Sequence, residues 1–119
     1  MPLQSYRDLE VWKAAMDLVE SVYALTRHLP EDERFGLTSQ VRRAAVSVAS
    51  NIAEGYGRIH RGDYVRFLSN ARGSLCELET QLILCVRLRY RTREDVAAVW
   101  TQTQQIGRLL GGLIRSLQS

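Results

Sequence analysis

The chain has 119 residues, of which 45% are hydrophobic and 24% charged, and its formal net charge is +3 at pH 7. This length and apolar content suffice for one folded domain, and they exclude a disordered chain, which combines low hydrophobicity with high net charge. The positive excess permits an acidic partner but does not require one.

The first predicted helix spans about residues 7–29 and carries two apolar stripes with helical spacing. One stripe consists of Leu9, Trp12, Met16, Val19 and Tyr23, and the other of Val11, Ala15, Leu18, Val22, Leu25 and Leu29. A monomeric bundle would leave part of this surface exposed to water. We therefore expect Val11, Leu18 and Leu25 to lie in an interface between identical subunits.

The second predicted helix spans about residues 38–55 and is rich in small side chains, which allow a neighbouring helix to approach closely. Thr38 or Ser39 could cap its start. Gly55 is predicted to end it as a left-handed C-terminal cap, and Gly57 then allows the chain to reverse.

The third and fourth predicted helices span about residues 62–89 and 93–117. Thr92 and Asp95 form a motif resembling a capping box at the start of the fourth helix. Short links between long helices favour antiparallel neighbours, so the predicted fold is an all-α, up-down-up-down four-helix bundle. Ile83, Leu84 and Ile114 lie outside the core seams, which again predicts a homo-oligomer.

Positive charge is concentrated between residues 42 and 72, where the sequence contains six arginines and only two acidic residues, a net charge of +4. The arginines are Arg42, Arg43, Arg58, Arg61, Arg66 and Arg72. They could bind nucleic-acid phosphates, with Tyr56 or Tyr64 stacking on a base. They could equally form a solvated or subunit-pairing face.

Catalytic and metal-binding motifs are not found in the sequence. The "GYG" stretch is too short for a phosphate loop, and no spacing of the two histidines suits a metal site in a bundle. Glu77 and Glu79 point in different directions on a helix, so they do not form a catalytic carboxylate pair. We expect Glu79 to be a structural partner for Arg72. We expect a protein that is not an enzyme and has no cofactor.

The cellular setting follows from the cysteines and the hydropathy. Cys76 and Cys85 fall on opposite sides of the third predicted helix and cannot pair there. No stretch approaches the roughly 20 apolar residues that a membrane helix requires. We expect a cytoplasmic protein without membrane contact.

Three stretches carry a family resemblance: "YRDLEVWKAAMDLV", "LTSQVRRAAVSVASNIAEGYGR" and "FLSNARGSLCELETQL". Together they resemble the bacterial 23S rRNA-intervening sequence proteins and the related accessory variability protein of diversity-generating retroelements. The resemblance implies a ring-like homopentamer and, for retroelement relatives, a basic surface that engages nucleic acid and a reverse transcriptase. The matching positions are Arg42, Arg43, Asn51, Glu54, Gly55, Arg72, Gly73, Ser74, Glu77 and Glu79.

Two functions remain open from the sequence. The first is weak, salt-sensitive and sequence-tolerant binding of RNA or DNA by a homo-oligomer. The second is a structural or adaptor module that docks a protein partner, such as a reverse transcriptase, and has no nucleic-acid role.

Overall fold

The computed structural model describes residues 3–118 and contains four long helices. These are α1 (Glu10–Thr26), α2 (Leu37–Tyr56), α3 (Arg61–Arg87) and α4 (Arg93–Gln118). Each helix packs against two others, in the cyclic order α1, α2, α3, α4 and back to α1. The predicted all-α four-helix fold is confirmed, and the helix ends lie within three residues of the predicted positions.

The difference at the first helix has a local cause. Ser5 and Asp8 form a capping box, but it caps a short 3-10 helix, Tyr6–Asp8, and not α1. The backbone at Leu9 is extended, so the α-helix begins only at Glu10. The acceptor for the backbone N–H groups of Gln4 and Ser5 is the Asp8 carboxylate, and these bonds lower the pKa of Asp8.

The structure reverses the predicted roles of the two stripes on α1. Val11, Leu18 and Leu25 are buried in the core of the single chain, so the prediction that they lie between subunits is wrong. One broad stripe meets both α2 and α4, since α1 occupies one corner of a four-helix square. The other stripe remains partly exposed, with Met16 and Tyr23 at 41% and 38% of their full accessibility.

The other predicted interface residues divide in the same way. Ile114 is buried inside the bundle and is unavailable to a second subunit, so that prediction is also wrong. Ile83 and Leu84 are exposed on α3, at 47% and 40%. Their place in a subunit interface stays a prediction.

Gly55 is not a left-handed cap, because none of the described glycines has a positive φ and α2 continues through Tyr56. Its importance is steric. A Cβ atom at Gly55 would lie 2.9 Å from the Cβ of Phe67, 3.1 Å from Cδ1 of Tyr64 and 3.2 Å from the backbone oxygen of Tyr64. The missing side chain therefore lets the start of α3 pack directly against the end of α2.

The two loops at the other end of the bundle meet through a tyrosine. Tyr90 donates its hydroxyl hydrogen to Oε2 of Glu33 at 2.8 Å, while the Leu37 backbone N–H donates to Oε1 at 3.0 Å. Glu33 therefore caps the start of α2, where Thr38 or Ser39 was predicted to do so. Both bonds lower the pKa of Glu33, and the bond from Leu37 has the larger effect.

The link between α3 and α4 is closed by two local motifs. Arg89 has φ of 64°, and the Tyr90 N–H donates to the Cys85 carbonyl at 2.9 Å, which is the hydrogen-bond pattern of a Schellman motif. The predicted Thr92 and Asp95 capping box is confirmed by reciprocal bonds of 2.9 and 3.1 Å. These contacts produce a sharp turn and give hydrogen-bond partners to backbone groups at the end of α3 and the start of α4.

Candidate nucleic-acid interface

The exposed turn between α2 and α3 contains the densest group of predicted site residues. We call residues 57–66 the basic turn; it carries Arg58, Arg61 and Arg66, with His60 between them. All four side chains are exposed, and Ile59 among them retains 95% of its full accessibility. The sequence therefore presents three guanidinium groups to solvent at one end of the bundle.

Phe67 joins two of these arginines. The Cζ atom of Arg58 lies 4.4 Å from the centroid of the Phe67 ring, and the Cζ atom of Arg66 lies 4.8 Å from the same centroid. Both distances are within the range of a cation–π interaction. Arg66 also forms an exposed ion pair with Asp63, with Nη2 and Oδ1 separated by 3.6 Å. The loop arginine and the helix arginine thus contact one aromatic ring.

Helix α3 begins at this turn and adds to its positive potential. His60 occupies the N-cap position, and its side chain makes no capping hydrogen bond. The first backbone N–H groups of a helix carry partial positive charge. Asp63 in the first turn offsets part of this charge. The arginines and the helix end both favour an anion at the basic turn.

Arg42 and Arg43 lie far from the basic turn. Arg42 precedes Tyr56, the last residue of α2, by 14 residues, which is about 21 Å along the helix axis. Its Nε donates to Oγ1 of Thr26 at 2.8 Å, and its Cζ lies 4.5 Å from the ring centroid of Tyr23. Arg42 thus fastens α2 to the end of α1, whereas Arg43 beside it is exposed.

Arg72 occupies a third location. It follows Arg66 by six residues, so it is rotated by about 120° around the axis of α3. The four ion pairs recorded between residues 3 and 118 do not include Arg72, and Glu79 instead accepts a 2.7 Å bond from Nε2 of Gln104 on α4. Glu77 is exposed. The six predicted arginines therefore do not form one continuous surface.

The two tyrosines predicted to stack on a base contact each other. The ring centroids of Tyr56 and Tyr64 are 6.1 Å apart with an interplanar angle of 80°, an edge-to-face arrangement. Burial raises the pKa of Tyr64, and the neighbouring Tyr56 raises it further by a smaller amount. This pair packs the end of α2 against the start of α3, next to the basic turn.

Phe67 is the site residue that the sequence did not reveal as functional. Its neighbour Arg66 is visible as a basic residue, but the contact with Arg58 depends on how the loop folds. An aromatic residue one position after an arginine, in the first two turns of a helix, is the signal that could have drawn attention to it.

A second surface feature lies at the opposite end of the bundle. The end of α3 and the start of α4 border an open groove of about 810 Å³. Ile83, Val86 and Trp100 contribute its apolar lining, and Arg87 and Arg93 are also part of the wall. Trp100 retains 37% of its accessibility. This groove is a candidate protein-docking surface.

Residues 3–118 lack a cluster of metal ligands and a membrane-spanning helix. Histidine, cysteine, aspartate and glutamate side chains do not come together there in groups of three or more that could hold a metal ion. In the same part of the chain, no helix has the length and apolar character needed to cross a membrane.

Comparison with known proteins supplies the family. A crystal structure described as a protein with unknown function from the S23 ribosomal protein family of Bacteroides thetaiotaomicron VPI-5482 is 27% identical to this chain. The match has a TM-score of 0.81 and covers 87% of this chain and 97% of that one. Comparison with curated proteins gives no match. The family model described as 23S rRNA-intervening sequence protein matches residues 7–112, so the chain belongs to that family.

Proposed function

We propose that this protein is a non-enzymatic, oligomeric four-helix bundle that binds RNA or DNA through the basic turn. The observation that carries the proposal is the placement of Arg58 and Arg66 against one Phe67 ring at an exposed helix end. Arginine presents a planar set of donors that suits phosphate oxygens. Each chain therefore offers a small, preformed phosphate-binding group.

The strength of binding follows from the number of charges. Between residues 57 and 67 the chain carries three arginines and one aspartate. With about three phosphate contacts per chain, the logarithm of the binding constant should fall with the logarithm of salt concentration with a slope of about −2 to −3. Binding by one subunit is thus weak and salt-sensitive, and an oligomer would multiply it.

The proposal of a homo-oligomer rests on apolar side chains that the single chain leaves exposed. Met16 and Tyr23 form one such surface on α1. Ile83 and Trp100 belong to another, at the groove between α3 and α4. Two different apolar surfaces on one molecule can pair with each other between copies and generate a closed ring. The homopentamer implied by the family resemblance is one such assembly.

The nucleic-acid proposal is tested with two matched double variants. Arg58→Ala/Arg66→Ala removes two charges from the basic turn, and Arg34→Ala/Arg89→Ala removes two exposed charges from the loops at the opposite end of the bundle. Fluorescence anisotropy with a labelled structured RNA should show roughly tenfold or greater weakening for the first variant and little change for the second. Equal affinities of the two variants, or no binding by the wild type at low salt, would refute the proposal.

The alternative function is a structural or adaptor module that docks a protein partner, such as a reverse transcriptase. The observation that favours it is the open groove lined by Ile83, Val86 and Trp100. In that case one defined protein should co-purify with the wild type, be unaffected by added RNA, and be lost with Ile83→Glu. Retention of the partner by Ile83→Glu would contradict this alternative.

A further inference from the structure

The contact between Phe67 and two arginines also bears on what part of a nucleic acid the basic turn recognises. Arg58 belongs to the loop after α2, whereas Arg66 and Phe67 belong to α3. Their two Cζ atoms lie 4.4 and 4.8 Å from one ring centroid, so they are less than about 10 Å apart. Phosphates that neighbour each other on one strand, which rise 3.4 Å per nucleotide along a duplex axis, fall within that span.

Phe67 is itself held in place by the packing of α2 against α3. The absence of a side chain at Gly55 lets the Phe67 Cβ lie where a Gly55 Cβ would be only 2.9 Å away. The ring is half-buried, whereas both arginines that touch it are exposed. Contact with this packed ring limits the conformations of two long side chains that would otherwise sample many rotamers.

The aromatic rings at this site are already engaged. Two guanidinium groups lie against Phe67, and Tyr56 and Tyr64 pack edge to face against each other. Stacking of bases on aromatic side chains is the usual way in which proteins read single strands. With these three rings occupied, what the basic turn offers a ligand is guanidinium donors.

We propose that Phe67 is a positioning residue that holds Arg58 and Arg66 as a pair for two neighbouring phosphates of one strand, so that the site recognises the sugar-phosphate backbone and not the bases. This inference rests on the proposed nucleic-acid function and specifies its ligand chemistry. It predicts that binding by the arginine pair needs no particular base sequence.

The first test compares two labelled probes of equal length, a mixed-sequence single strand and an abasic strand that has the same backbone without bases. The wild-type protein should bind both within about threefold, because phosphate contacts supply the affinity. If the abasic strand bound at least tenfold more weakly than the mixed-sequence strand, the inference would be overturned while the nucleic-acid function stayed intact. Binding of neither strand would refute the proposed function itself.

The second test separates positioning from charge. Phe67→Leu should weaken binding of both probes by about fivefold and leave the salt slope unchanged, because every charge remains. Arg58→Ala should lower the magnitude of the slope for a single strand by about 0.7. Phe67→Tyr keeps the ring and should bind like the wild type. Wild-type affinity of Phe67→Leu with an unchanged helical circular dichroism spectrum would overturn the role of the ring.

A further variant tests the arrangement without the risk that Phe67→Leu fails to fold. Arg58→Lys keeps the positive charge but lacks the planar guanidinium that lies against the ring, and it alters an exposed position. It should weaken binding of both probes with the salt slope preserved. Wild-type affinity of Arg58→Lys would show that the paired arrangement is unnecessary and would overturn the inference.

Discussion

Replacing Gly55 with alanine should destabilise the protein, although alanine is normally the better helix residue. In an unhindered helix the change stabilises by about 0.5–1 kcal/mol. Here the new Cβ would lie 2.9 Å from the Phe67 Cβ and 3.2 Å from the Tyr64 backbone oxygen, and neither atom can move without displacing α3. Overpacking of this kind costs about 1–3 kcal/mol. The expected net effect is a loss of about 1 kcal/mol, with the two ranges spanning about 0 to 2.5 kcal/mol.

Gly73→Ala provides the matched control, because Gly73 is also inside a helix and a Cβ there would meet no atom within 4 Å beyond its chain neighbours and the nearby backbone of its own helix. It should stabilise by about 0.5–1 kcal/mol. Urea unfolding followed by circular dichroism, at one protein concentration, measures both variants. If Gly55→Ala stabilised the protein as much as Gly73→Ala, the close approach of α2 and α3 and its placement of Phe67 would be refuted.

Two further predictions concern the other end of the bundle. Arg89→Gly should stabilise by about 1 kcal/mol, because glycine adopts the left-handed φ of 64° without the steric cost that Arg89 carries, while Arg89→Ala should leave the urea midpoint nearly unchanged; equal midpoints for the two variants would count against this explanation. The bonds from Leu37 and Tyr90 hold the pKa of Glu33 below its usual 4.5, so its charged form stabilises the fold above that pH and the benefit disappears as pH falls through the lowered pKa. The wild type should therefore exceed Glu33→Gln in thermal midpoint at pH 7 and lose this advantage under acid, and an advantage that persisted at pH 2 would contradict the assigned bonds.

The helical fold was predictable because its causes are local. Apolar residues at steps of three and four define each helix, and Thr92 with Asp95 marks the start of α4. The starts of α1 and α2 were less predictable. Leu9 breaks the helix after the 3-10 turn, and the cap of Leu37 comes from Glu33 in the preceding loop. Such details depend on which of several competing polar contacts forms.

The choice between the two stripes of α1 could not be made from the sequence. Both stripes have helical periodicity, so only the positions of α2 and α4 decide that Leu18 is buried and Met16 is exposed. The same limit applies to Gly55, whose spacing in the sequence suits a helix cap but whose role depends on contact with α3. Tertiary packing therefore supplied the information that the patterns lacked.

The candidate site was predictable in part. The excess of arginine between residues 42 and 72 drew attention to the basic turn, and the structure shows that its arginines are exposed. Linear spacing could not show that Arg42 is engaged by Thr26 and Tyr23, or that Arg58 and Arg66 share one aromatic ring. These contacts join residues from different elements, and the fold alone brings them together.

The most direct test of the nucleic-acid proposal is the salt dependence of RNA binding for the wild type and for Arg58→Ala/Arg66→Ala. Both proteins are titrated into one labelled single-stranded RNA at several salt concentrations, with light scattering in the same buffers to establish the mass of the assembly. The account predicts that the magnitude of the wild-type slope exceeds that of the variant by about 1.4 for each bound turn. Equal slopes for two proteins of equal mass would contradict it.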